Sequence, residues 1–151
     1  MFRGLTNITI DTKGRMAIPS RHREPLQHCC DGQLVVTVDP DHCLLLYPFP
    51  DWEEIERKLV RLPSLKPKAR SLQRLLLGYA TELEIDGHGR ILLPQPLRQF
   101  AELDRRAVLI GQGNKLELWD EERWNRCSQD WLAAYEAGDA DLSAELESLS
   151  L

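Results

Sequence analysis

Apolar residues recur along the chain with two spacings, and the series of segments they mark occurs twice. In the first series, Asn7–Ile10 and Arg15–Ile18 read as two short strands around the turn Asp11-Thr12-Lys13-Gly14. Leu34–Val38 and Cys43–Tyr47 are shorter, nearly continuous apolar runs around the polar turn Asp39-Pro40-Asp41-His42, which predicts a hairpin. Trp52, Ile55, Leu59 and Leu62 then fall at helical spacing, and Leu72, Leu75, Leu76 and Tyr79 do so again beyond the Pro63–Pro67 linker. The second series follows: strands over Ala80–Ile85 and Arg90–Leu93, a hairpin of Val108–Ile110 and Lys115–Trp119, and a last helix carrying Trp124, Cys127, Trp131 and Tyr135.

The repetition extends to individual residues. Ile10-Asp11-Thr12-Lys13-Gly14-Arg15-Met16-Ala17-Ile18-Pro19 returns 75 positions later as Ile85-Asp86-Gly87-His88-Gly89-Arg90-Ile91-Leu92-Leu93-Pro94. Downstream, Val36, Val38, Leu44, Leu46, Tyr47 and Trp52 match Val108, Ile110, Leu116, Leu118, Trp119 and Trp124 at an offset of 72, so the second copy is three residues shorter. The repeats occupy residues 5–52 and 81–124, with a helical linking region over 53–80 and a final helix and acidic tail over 125–151. A unit of about fifty residues buries too little surface to be stable alone, so two copies are expected to share one core. The expected fold is α+β and mainly β. Two β-β-α-β-β-α units interleave hairpins into a closed barrel with flanking helices, because closure removes unpaired strand edges.

Local chemistry refines these elements. Asp and Gly at the two ends of Asp11–Gly14 and of Asp86–Gly89 suit tight turns, Asp by bonding nearby backbone and Gly by accepting positive φ. Ser20 is placed to cap a short helix that Pro25 makes irregular, and Asp51 with Glu54 resembles a capping box. The tail from Gly138 to Leu151, with leucines at 142, 146 and 149, is either a weak amphipathic helix or a frayed end.

Charge is unevenly distributed. Residues 1–50 carry five basic and five acidic residues, residues 51–80 seven and four, and residues 81–151 seven and fifteen. Arg57–Arg74 holds seven basic residues and no acid, and residues 12–23 hold Lys13, Arg15, Arg21 and Arg23 and no acid. A net charge of −5 speaks against a histone-like binder, while local basic patches suit a gene regulator. No apolar run approaches the ~20 residues that cross a bilayer, and the N-terminal residues contain no signal-peptide core, so a cytoplasmic, membrane-free location is expected.

Catalytic chemistry has little support. The sequence contains no Gly-x-Ser-x-Gly, no His-Glu-x-x-His and no Walker loop, and its four histidines occupy non-equivalent places in the two repeats. Asp11 and Asp86 are each followed four residues later by Arg, whose charge favours the ionised carboxylate and so makes a poor general acid. A zinc site built from His28, Cys30, His42 and Cys43 would lack a Cys-x-x-Cys knuckle, and Cys43 lies in a strand-like run that suits a buried thiol. Neither an enzyme, a small-molecule substrate nor a cofactor is expected.

The duplicated Asp…Arg pair is the stronger lead. Arginine presents a rigid fork that bonds guanine O6 and N7, worth about 1–3 kcal/mol of discrimination. A carboxylate on the same turn holds that fork in one rotamer. The alternative is a turn-capping Asp with a surface ion pair of little energetic consequence.

These residues carry a family resemblance that spans the whole chain. Both Asp-x-x-x-Arg motifs, together with Leu44-Leu45-Leu46-Tyr47-Pro48, Gln73-Arg74-Leu75-Leu76-Leu77-Gly78 and Asn114-Lys115-Leu116-Glu117-Leu118-Trp119-Asp120, resemble the MraZ family of bacterial transcriptional regulators. That family is encoded at the head of the division and cell-wall gene cluster. The resemblance implies tandem SpoVT/AbrB-like units of swapped-hairpin type, a ring-shaped homo-oligomer, repression of the family's own operon, and double-stranded DNA as partner. The expected DNA-binding residues are Asp11, Lys13, Arg15, Arg21, Asp86 and Arg90, with Arg15 and Arg90 reading bases and Lys13 and Arg21 positioning phosphates of direct repeats in a promoter. Such a protein would be nucleoid-associated. The rival reading is an AbrB-like antitoxin that neutralises a partner protein.

Overall fold

A computed structural model describes residues 1–63, 65–138 and 148–149. They fall into two compact units, Met1–Glu121 and Glu122–Leu151. In the first unit the chain runs β1 (Leu5–Thr9), β2 (Arg15–Ala17), α1 (Ser20–Cys30), β3 (Gln33–Asp39), β4 (Cys43–Pro48), α2 (Phe49–Val60) and α3 (Pro67–Tyr79). It continues through β5 (Thr81–Glu84), β6 (Arg90–Leu92), α4 (Gln95–Phe100), β7 (Arg106–Gly111) and β8 (Leu116–Asp120). The helix α5 (Glu121–Glu136) supplies the described part of the second unit, where Trp124 and Trp131 meet edge to face with ring centroids 5.7 Å apart.

Strands of the two repeats interleave in one antiparallel sheet of order β1-β7-β8-β4-β3-β5. The first repeat's β1 pairs with β7 of the second, and the second repeat's β5 pairs with β3 of the first. The neighbouring interior strands β3 and β4 are the apolar runs of the sequence, and every residue of β4 is buried. Strands covered on both faces lose the polar alternation seen at half-buried edges. One core results, drawing Ile8, Met16, Leu26, Val36 and Leu44 from the first repeat and Ile91, Leu97, Leu109 and Leu118 from the second.

The expected closed barrel is not seen among the described residues. Among the described residues the main sheet ends at β1 and β5, and β2 and β6 pair only with each other as a separate two-stranded ribbon. The reason lies at the turns. Asp11 and Asp86 redirect the chain out of the two outer strands, and the three-residue segments that follow use their hydrogen bonds on one another. The strands next to these turns pair between repeats, β1 with β7, β5 with β3 and β2 with β6.

Two expected caps are also revised. Pro19 and Pro48 occupy the N-cap positions of α1 and α2, and neither helix has a side-chain cap bond. Ser20 is the first helical residue, and Asp51 lies in the first turn of α2, where its charge complements the helix dipole. The end of α2 is satisfied from α3 instead. The Gln73 amide donates to the carbonyls of Leu59 at 2.7 Å and Leu62 at 3.2 Å. Among the described residues no helix is long and apolar enough to cross a membrane. The weak helix or frayed tail expected over 138–151 falls, save for 138 and 148–149, outside the described residues.

Candidate nucleic acid interface

Each Asp–Arg turn is closed by its own aspartate. In the first, the Asp11 N–H donates to the Arg15 carbonyl at 3.0 Å, and the Asp11 carbonyl accepts from the Gly14 N–H at 3.0 Å. The side chain then takes three more donors. Oδ1 accepts the backbone N–H groups of Lys13 and Arg15, both at 2.9 Å, and Oδ2 accepts Nε of Arg15 at 2.7 Å. The bond from the Arg15 N–H, followed by that from its guanidinium, holds the Asp11 carboxyl down at about 2, against an ordinary 3.8. Asp11 is therefore ionised at neutral pH, and its acceptor capacity is largely used inside the turn.

The second turn repeats the backbone and loosens the clamp. Asp86 Oδ1 accepts the N–H groups of His88 at 2.8 Å and Arg90 at 3.0 Å, and the Arg90 N–H bond is the main cause of its lowered pKa. Arg90 Nε stands 3.7 Å from Asp86 Oδ2, beyond hydrogen-bond reach, and is buried without a partner. The two copies are alike in fold and unequal in how tightly each arginine is held.

The ribbon between the turns sets where both arginines point. Its register is Arg15 opposite Leu92, Met16 opposite Ile91 and Ala17 opposite Arg90. Met16 and Ile91 are each 1% exposed, so this central pair faces the core. Strand side chains alternate, which puts Arg15, Ala17, Arg90 and Leu92 together on the opposite face. Leu92 is 55% exposed there. The turns are also stitched to each other's strands. The Ile18 N–H donates to the Gly89 carbonyl at 2.9 Å, and the Leu93 N–H donates to the Gly14 carbonyl at 2.8 Å.

Of the residues expected from sequence, Asp11, Lys13, Arg15, Asp86 and Arg90 thus lie on this ribbon and its turns. Arg21 does not: it extends from α1 to β1, where its guanidinium donates to the Thr6 hydroxyl. The sequence reading missed Leu92, Arg23 and Arg98. The guanidinium of Arg98 lies over Gly14 and that of Arg23 over Gly89, each arginine packing on the turn of the other repeat. Their separation of 75 residues, the same as that of the turns, was the available signal.

Comparison with known proteins agrees with this duplicated architecture. The family model described as "MraZ protein, putative antitoxin-like" matches twice, over residues 1–75 and 76–143. The chain belongs to the MraZ family. Proteins called transcriptional regulator MraZ are similar over full length. The one from Halorhodospira halophila is 57% identical over 100% of both chains, and that from Methylococcus capsulatus is 57% identical over 99% of each. The MraZ regulator of Pseudomonas aeruginosa is 56% identical over 89% of each chain. The two family matches divide the chain within α3, so each contains one Asp–Arg turn.

Proposed function

We propose that this protein is a sequence-specific, DNA-binding transcriptional regulator that represses its own operon, in a division and cell-wall gene cluster, from direct repeats in the promoter. The observation that carries this reading is the outward face of the β2/β6 ribbon. A two-stranded ribbon fits the major groove of B-DNA, where arginine forks bond guanine edges and apolar side chains meet thymine methyls. Arg15 and Arg90 supply the forks, with Leu92 beside Arg15 as the apolar neighbour. Lys13, exposed at the tip of the first turn, meets phosphate. Asp11 limits the rotamers open to Arg15, which lowers the entropy lost when the base contact forms.

One chain offers a single ribbon on a net-acidic protein, so the binding species is a ring-shaped homo-oligomer that engages several boxes at once. Exposed Trp131, Leu132 and Tyr135 on α5 support such self-association. The protein acts in the cytoplasm at the nucleoid. The test is a band-shift titration of the duplex upstream of the protein's own gene against a shuffled duplex of equal length. A shift of the native duplex at concentrations at least ~100-fold lower supports the reading, given the usual gap between specific and non-specific affinity. Equal shifts, or none, contradict it, and capture of a protein partner without DNA would favour the antitoxin reading.

A further inference from the structure

A cleft of about 440 Å³ lies beside the first Asp–Arg turn, and no role assigned so far uses it. Thr9 and Thr12 line it from the first repeat, and Arg98, Leu103 and Arg105 from the second, with Asp11 and Asp104 as the carboxylates. We propose that this cleft is a phosphate seat, shared by the two repeats, that grips a phosphate next to the position of Arg15.

Arg98 is fixed in place before any ligand arrives. Arg98 Nε donates to the Leu93 carbonyl at 3.0 Å, and the Leu93 N–H in turn donates to the Gly14 carbonyl. One residue of the second repeat thereby ties Arg98 to the first turn. Gly14 leaves room for this, since a Cβ there would stand 2.7 Å from Arg98 Nε. Arg105 is anchored through its backbone, whose carbonyl accepts the Ile10 N–H at 2.8 Å, while its exposed side chain remains available. Two guanidiniums and two hydroxyls are the donor set that suits phosphate oxygens. Of the two carboxylates, Asp11 is already engaged by the Lys13 and Arg15 donors, which leaves Asp104 as the opposing charge.

The seat belongs to the first turn alone. At the repeat offset, Thr9 becomes Glu84 and Thr12 becomes Gly87, which replaces one hydroxyl with an acid and removes the other. Arg23 reproduces the packing of Arg98, but Ile85, the counterpart of Ile10, donates its N–H to the Gly32 carbonyl, so a glycine takes the place of Arg105. The first turn therefore anchors a phosphate and the second does not.

The phosphate has two possible sources: the DNA backbone, in which case the seat rests on the proposed DNA reading, or a free phosphorylated solute. The experiment compares wild type, Arg105→Gln and Arg98→Gln by two readouts. One is the shift of arginine Nε–H NMR signals on adding inorganic phosphate, against chloride at equal ionic strength. The other is affinity for promoter and shuffled duplexes across a salt series. Expected are a saturable phosphate-induced shift of the Arg98 signal, lost in Arg105→Gln, and ~5–10-fold weaker binding of both duplexes. The salt slope should fall by about one, as for one lost phosphate contact. A slope change without a free-phosphate response also supports the seat, with the backbone as source. A wild type that binds no duplex, yet whose Arg98 signal responds to phosphate, sinks the DNA reading and leaves the seat to a free solute. Unchanged affinities and slopes in Arg105→Gln, with no phosphate response beyond chloride, overturn the seat while DNA binding stands. Arg105→Gln decides alone if Arg98→Gln does not fold, because only an exposed side chain changes.

Discussion

Arg15 and Arg90, 75 residues apart in sequence, are diagonal neighbours on the outward face of the β2/β6 ribbon. Such diagonal positions lie ~7–8 Å apart, within reach of long side chains acting on the same stretch of a ligand. The relationship depends on the pairing of Met16 with Ile91, whose burial fixes which face each arginine occupies. A slip of one residue in either strand would turn that strand's guanidinium into the core.

The two turns should respond unequally to loss of their aspartates. Asp11 holds Arg15 Nε at 2.7 Å, whereas Asp86 stands 3.7 Å from Arg90 Nε. Asp11→Ala is expected to weaken binding to promoter DNA by about tenfold, the scale of one oriented base contact, although it removes a negative charge near DNA. Asp86→Ala should cost clearly less. Anisotropy titrations at fixed salt check this, and tighter binding by Asp11→Ala would show that the carboxylate merely repels phosphate.

Glycine at position 14 is required by the backbone and by its neighbours. Its φ is +91°, and a Cβ would stand 2.8 Å from the Leu93 carbonyl oxygen. Gly14→Ala is expected to destabilise the fold by about 2 kcal/mol or more. Gly87→Ala, where a Cβ meets nothing within 4 Å, should stay within about 0.5 kcal/mol of wild type. Urea unfolding of the two variants tests the contrast, and equal midpoints would refute it.

Stability should fall in acid in two windows. His22 is 3% exposed with Nε2 unpartnered, and burial, helped by the nearby Arg21 charge, lowers its pKa from 6.5. Below 6.5 the unfolded chain takes up a proton that the folded chain resists, so this stability is present above 6.5 and is lost as pH falls. Asp11 adds a second window, its contribution being present above 3.8 and lost as pH falls to about 2. The position equivalent to His22 in the second repeat is Leu97, also buried. His22→Leu should therefore stabilise at pH 7 by about 1 kcal/mol, the cost of an unsatisfied buried polar group, and flatten the slope just below 6.5. Thermal melts from pH 4 to 8 would show it; an unchanged slope would assign the acid sensitivity elsewhere.

The strands and both turns were legible in the sequence because their cause is local. Ile8 and Ile10 alternate with the polar Asn7 and Thr9, and Asp11 and Gly14 carry the turn chemistry in their own side chain and backbone. Pairing was less legible. Nothing within Leu5–Thr9 specifies β7 as its partner, or within Thr81–Glu84 specifies β3, since those contacts are set by the shared core. No closed barrel is seen among the described residues for the same reason: β2 and β6 pair with each other. The site residues on the turns were readable from the repeat. Arg98 was not, because its importance comes from the opposite repeat's Gly14, which only the folded chain brings beneath it.

The central claim is that the ribbon's two arginines read bases. Its most direct test is the ratio of affinities for promoter and shuffled duplexes, measured at one salt concentration for wild type, Arg15→Ala, Arg90→Ala and Lys13→Ala. The account predicts that Arg15→Ala lowers this ratio by about tenfold or more and Arg90→Ala by less, as each fork lost removes about 1–3 kcal/mol of discrimination. Lys13→Ala should weaken both duplexes alike and leave the ratio unchanged. A ratio in Arg15→Ala equal to that of wild type would contradict base reading by the ribbon.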